Sequence, residues 1–151
     1  MMRRQFTWIT ALLLTLMVPL QISVLAAEPA LQLRKGDRIC YIGNTLADRM
    51  QHSAWLETYI HALYPDLDIT FRNLGYSGDE FKLRQREENF GSPDQWLAKT
   101  KANVIFCFFG YNEALRGAPA LEGFRKDLAE TIDGMLGQKY DDAGPPRLVF
   151  F

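Results

Sequence analysis

Several things are scarce in this sequence, and each scarcity closes off a class of function. Histidine and cysteine occur twice each among 151 residues. His52 and His61 have no cysteine or carboxylate pattern around them at ligand spacing, so no metal site is read and no cofactor is called for. No Cys-x-x-Cys-His motif occurs. Positive charge is not in surplus: the formal net charge is -1, which offers nothing to nucleic acid or to an anionic membrane surface. Internal repeats and low-complexity linkers are lacking too, and the length suits one domain rather than two. A hydrophobic share of 48% with 23% charged residues places that domain among globular rather than disordered chains.

An unbroken membrane span is also lacking. Trp8 to Leu25 is mostly apolar but is interrupted by Thr10, Thr15, Pro19, Gln21 and Ser23. A basic start, Met1-Met-Arg-Arg4, precedes it, and the small residues of Val24-Leu-Ala26 follow. That order reads as a secretory signal peptide over residues 1–26, cleaved after Ala26 or Ala27. The alternative is an uncleaved anchor. Cleavage leaves an exported domain, residues 27–151, periplasmic or secreted, with no stable membrane anchor. Export makes a disulfide between Cys40 and Cys107 possible. Each cysteine lies in an apolar run, three residues before Gly43 and Gly110 respectively. Side-by-side strand positions seldom meet disulfide geometry, so two buried free thiols are expected.

The rest of the chain alternates strand-like and helix-like patterns. Arg38 to Ile42 reads as a strand that runs into Gly43-Asn44-Thr45 and a helical pattern. Trp55, Leu56, Tyr59, Ile60 and Leu63 recur at helical spacing within Ser53–Tyr64, with Glu57, Thr58 and His61 on the opposite face. Pro65-Asp66 ends that helix. Leu67 to Phe71 is read as a second strand, followed by the loop Arg72-Asn-Leu-Gly-Tyr-Ser-Gly-Asp79. The charge-dense stretch Glu80–Asn89 is read as a solvated helix face. Ser92-Pro93 opens a helix. Val104 to Phe109 is apolar without alternation, as in a central parallel strand, and ends in Gly110-Tyr-Asn-Glu113. Leu121, Phe124, Leu128, Ile132 and Met135 mark another helix, and Arg147 to Phe151 one more strand. This alternation predicts a doubly wound α/β protein, a three-layer α/β/α sandwich on a parallel sheet. The sequence stops on that last strand with no closing helix, so its C-terminal part is expected to be missing.

In such sheets function sits beyond the carboxyl ends of the strands. Three polar turns lie there. Thr45 offers a hydroxyl at a helix start, Gly78 a backbone N–H with no side chain in the way, and Asn112 a side-chain amide. A nucleophile with oxyanion donors is what acyl transfer needs. Taken singly, the three have plainer readings: a helix cap, a positive φ and a turn residue.

In order and spacing these turns resemble blocks I, II and III of the SGNH (GDSL-type) esterase and lipase superfamily. Block I reads Gly43-Asn44-Thr45, block II Asn73 to Asp79 and block III Gly110-Tyr-Asn112-Glu113. The resemblance covers nearly all of the mature chain. It implies a flavodoxin-like sandwich and ester substrates, either small molecules or acetyl groups on glycans. It implies Thr45 at the nucleophile position, with Gly78 as backbone and Asn112 as side-chain oxyanion donors. The family's serine is here Thr45, its neighbouring aspartate is Asn44, and the block III aspartate is Glu113. Block V, Asp-x-x-His, has no counterpart, so this stretch alone is expected to be inactive. His52 and His61 read as a helix-start residue and a solvent-facing one rather than as replacements. Two readings stay open: an exported esterase, or an SGNH-fold module that holds a glycan or a protein partner without chemistry.

Overall fold

The computed structural model describes residues 31–85 and 87–151. The signal peptide expected over residues 1–26 lies outside the described residues. The elements in chain order are β1 (Arg38–Gly43), α1 (Thr45–Met50), α2 (Trp55–Leu63), a 3-10 turn (Pro65–Leu67) and β2 (Thr70–Asn73). Then come α3 (Glu87–Phe90), α4 (Pro93–Lys99), β3 (Val104–Phe108), α5 (Tyr111–Ala114), a second 3-10 turn (Ala118–Ala120), α6 (Leu121–Leu136) and β4 (Arg147–Phe150).

All neighbouring strands are parallel, in the order β2-β1-β3-β4. Alternate residues of β1 and β3 serve opposite faces, as strand pleating requires. Ile39, Tyr41, Val104, Phe106 and Phe108 form one core with Ala47 of α1 and Ile60 of α2. Cys40, Ile42, Ile105 and Cys107 form the other with Leu97 of α4 and Met135 of α6. Every residue of β3 is buried, which accounts for its unbroken apolar run. This is the expected α/β/α sandwich. The chain leaves β1 on one side for β2, then returns to the other side for β3. The strand order therefore reverses between β1 and β3, the place where open α/β sheets bind ligands.

Cys40 pairs in register with Ile105, and Cys107 with Ile42. Both thiols are free and buried, as expected from their places in adjacent strands.

Three expectations are corrected. The second strand begins at Thr70, not Leu67, because Pro65–Leu67 closes a 3-10 turn and Asp68 turns the backbone at φ +50°. The apolar side of α2 rests on the core through Leu56 and Ile60, whereas Trp55, Tyr59 and Leu63 are 66%, 63% and 72% exposed. Trp55 and Tyr59 each sit one residue, about 100°, before an inward position, and Leu63 is the last residue of the helix. Glu57, assigned to the outer face, is instead half-buried. The charged stretch after Asp79 is no solvated helix: only Glu87–Phe90 is helical. Phe81 is buried against Phe109, and the Arg84 guanidinium lies 4.6 Å over the Phe109 ring while paired with Asp79.

Candidate active site

Block I is shaped by a close approach of two backbones. Gly43 ends β1 at φ +124°, and a Cβ there would stand 2.1 Å from the Phe108 carbonyl oxygen. Only glycine fits. The Asn44 N–H donates to the same oxygen at 2.8 Å, which ties the exit of β1 to the end of β3. Asn44 is buried and caps α1: its Oδ1 accepts from the Leu46 N–H at 3.1 Å. Thr45 is thus the first residue of the helix and not its cap. Its side chain is exposed, and its hydroxyl makes no hydrogen bond among the described residues. Thr45 lines a cleft of about 390 Å³ with Leu46, Phe108, Phe109, Tyr111 and Phe151.

Block II wraps against α1. The Asn73 side chain donates to the Ala47 carbonyl and accepts from the Gly75 N–H at 2.9 Å. Gly75 lies so close to α1 that a Cβ would fall 2.5 Å from the Ala47 Cβ. Asp48 Oδ2 accepts from the Ser77 N–H at 3.2 Å and from the Ser77 hydroxyl. The backbone donors of this loop are spoken for in turn. Leu74 N–H goes to Tyr41 O (2.8 Å), Tyr76 N–H to Gly43 O (2.9 Å) and Asp79 N–H to Tyr76 O (3.1 Å). The Gly78 N–H is the exception: it has no acceptor among the described residues. Gly78 itself sits at φ +90°.

Block III starts at Gly110, φ +100°, where α5 begins. Glu113 is buried and bonds at both oxygens. Oε2 accepts from the Gly110 N–H (3.0 Å) and Oε1 from the Phe81 N–H (3.1 Å). It therefore fixes block III to the chain that follows block II. Asn112, in α5, is half-exposed, and its amide makes no hydrogen bond among the described residues.

Thr45, Gly78 and Asn112 thus follow three adjacent strands at one edge of the sheet, β1 between the other two. Only Thr45 lines the 390 Å³ cleft. Neither histidine does. His52 lies in the turn at the far end of α1, exposed, and His61 sets its ring edge-on to Phe71 at 5.2 Å. The buried thiols are no nucleophiles either. Burial raises the Cys40 pKa and pushes Cys107 up to about 12. Among the described residues the edge offers the Thr45 hydroxyl and, as donors without an acceptor, the Thr45 N–H, the Gly78 N–H and the Asn112 side-chain amide. Among the described residues no group of three or more His, Cys, Asp or Glu could hold a metal ion, and no helix is long and apolar enough to cross a membrane.

Sequence reasoning missed Asn44, Asp48 and Glu113 as organisers of the site. Glu113 had a visible signal, a carboxylate three residues after a helix-opening glycine. Asp48 had none, because its partner Ser77 is 29 residues away.

No protein-family model and no curated protein sequence matches the chain significantly. Solved structures do. An acetylxylan esterase from Geobacillus stearothermophilus superposes with a TM-score of 0.54 at 18% identity, covering 70% of this chain and 57% of that one. That structure is of a catalytic mutant; a second variant, described as an acetyl-xylooligosaccharide esterase, gives the same figures. The chain therefore spans little more than half the length of these esterases, and it shares their α/β fold.

Proposed function

We propose that this chain is an exported SGNH-type domain that acts on esters, small molecules or acetylated glycans, with Thr45 at the nucleophile position. The observation that carries the reading is the block II loop. Its neighbouring donors are bonded, yet the Gly78 N–H has no acceptor among the described residues. In this reading that N–H, the Thr45 N–H and the Asn112 amide hold the developing oxyanion, and Thr45 Oγ1 attacks. The base that takes its proton comes from outside the described residues. The likeness to an acetylxylan esterase supports the fold and directs the choice of acetylated sugars as substrates to test.

The test is hydrolysis of p-nitrophenyl acetate and an acetylated xylo-oligosaccharide by the whole protein that carries this domain. Thr45→Ser removes a methyl that crowds attack and keeps the hydroxyl, so activity rises or holds. Thr45→Ala abolishes it. Residues 27–151 alone show no turnover above buffer, since base assistance is worth about 100- to 10,000-fold. Wild-type activity in Thr45→Ala refutes the nucleophile.

A second reading has its own observation. Leu46, Tyr111 and Phe151 line the cleft and are 57%, 71% and 58% exposed, an apolar rim suited to holding a glycan or protein partner without chemistry. Under it no Thr45 substitution alters turnover, because there is none.

A further inference from the structure

The sheet face on the Cys40 side is incompletely covered. Helix α4 packs Leu97 onto β1 and β3, but β2 stands at the sheet edge beyond it. Thr70 and Arg72 pair in register with Arg38 and Cys40, so their side chains share this face. Between them and α4 runs a groove of about 470 Å³, lined by Arg38, Arg72, Thr70, Trp96 and Lys99 among others. Among the described residues no aspartate or glutamate lines it.

The three cations are not equally engaged. Arg38 is held by Asp141 at 3.5 Å and donates to the Lys101 carbonyl. Arg72 makes one long bond, 3.3 Å, to the carbonyl of its own neighbour Phe71. The Lys99 ammonium lies 4.5 Å over the Trp96 ring. Neither Arg72 nor Lys99 has a carboxylate partner among the described residues. Trp96 is a fixed platform. Its ring stacks on Phe90 at 4.5 Å, and its Nε1 donates to the Phe90 carbonyl at 2.7 Å. A cation held over an indole is positioned rather than free to wander.

We infer that this groove binds the carboxylate of an acidic oligosaccharide, a uronate unit, between Arg72 and Lys99. A guanidinium offers a carboxylate two parallel N–H donors, and the ammonium adds a point charge beside them. The groove has room for more than a bare ion: its volume falls in the range of small-ligand pockets, about 300–1,000 Å³, and leaves space for sugar rings beyond the carboxylate. That the body is a sugar rests on the proposed function; the anion site rests on the groove alone. The site lies on a sheet face, away from the edge that carries Thr45, so it would hold a substrate's acidic branch or a neighbouring strand of polymer.

Calorimetric titration of the purified protein with tri-galacturonate, neutral xylotriose and inorganic phosphate tests this at low and high salt. Tri-galacturonate binds, xylotriose does not, and added salt weakens the binding. Arg72→Gln and Lys99→Gln each weaken it about fivefold, and the double variant at least about tenfold. Both side chains are exposed, so the melting temperature stays at the wild-type value and ester hydrolysis is unaffected. Affinity unchanged in the double variant overturns the site. So does absence of tri-galacturonate binding, or equal affinity for xylotriose. Phosphate binding as tightly as the trisaccharide overturns the sugar assignment. Uronate binding that persists in a protein without esterase activity supports the groove while the enzymatic reading fails.

Discussion

At the scale of single residues, the informative fact is a division of labour between neighbours. Asn44 caps α1, which leaves the Thr45 hydroxyl without a structural duty. Stability should separate the two. Asn44→Ala removes a buried cap and costs about 1 kcal/mol or more. Thr45→Ala, at an exposed first helical position, stays within about 0.5 kcal/mol of wild type. Denaturant melts of both variants check this; a Thr45→Ala loss as large as that of Asn44→Ala would show that the hydroxyl does hold the helix. The cysteines give a pH test. Cys107 has its pKa raised from 9.0 to about 12, and Cys40 is shifted the same way. Above about pH 9 the unfolded chain gives up thiol protons that the folded chain keeps, so stability falls as pH rises. Each thiol contributes at most about 1.4 kcal/mol per pH unit in that window and nothing below it. The buried Tyr41 and Tyr140 phenols, also shifted upward, act in the same direction at higher pH. A denaturation midpoint that holds steady from about pH 9 upward would contradict this.

At the scale of elements, the strand ends do most of the positioning, and glycine is what lets them. Gly43 and Gly36 make a matched pair for experiment. Both have positive φ, but a Cβ at Gly36 meets nothing within 4 Å, whereas one at Gly43 strikes the Phe108 backbone. Gly36→Ala is expected to cost about 1 kcal/mol and Gly43→Ala at least about 3 kcal/mol, as read by chemical denaturation. Equal costs would mean that the β1–β3 approach yields easily. These punctuating glycines were legible in the sequence, and so were the strand before each of them and the Ser92 start of α4. That start proved to be a full capping box with Gln95. What could not be read was contact across long separations. Periodicity found the apolar side of α2 but could not tell Leu56 and Ile60, which meet the core, from Trp55, Tyr59 and Leu63, which do not. Composition marked Glu80–Asn89 as solvated because nothing local shows that Phe109 waits to receive Phe81 and Arg84. The turns that carry the three candidate residues were legible; the groups that hold those turns, Asp48 and Glu113, were not.

At the scale of the whole molecule, the two edges of the sheet are built differently. The edge where the strands begin is tied shut. Buried Asp37 accepts from the Arg34 N–H at 2.7 Å and pairs with Arg147, which also reaches the Gln32 carbonyl. Asn103 Oδ1 accepts from the Arg38 N–H at 2.9 Å in the same region. The edge where the strands end leaves the Thr45 hydroxyl, the Thr45 and Gly78 N–H groups and the Asn112 amide without partners among the described residues. Rigidity at one end and open valences at the other is how a scaffold holds a site without filling it. Export is the remaining property of the whole protein to be tested. Mass spectrometry of periplasmic or secreted protein is expected to give a mature N-terminus at Ala27 or Glu28. Protein found only in membranes with Met1 intact would refute it.

The parallel sheet has a kinetic consequence. A parallel partner cannot be reached by a short turn, and here the side-chain bond that sets β1 beside β3 spans 65 residues, while the Asp37–Arg147 clamp spans 110. During synthesis the run Ile39-Cys-Tyr-Ile42 is the first strand to emerge; it finds no mate until Thr70–Asn73 has been made, and its other side stays open until Val104–Phe108 follows. Until then that side is naked and sticky, and its loop closure must be completed before any contact rewards it. Folding of this chain therefore belongs to the slow, millisecond-to-second regime of non-local topologies. The same central strand that later presents Thr45 is the segment most in need of a chaperone while it waits.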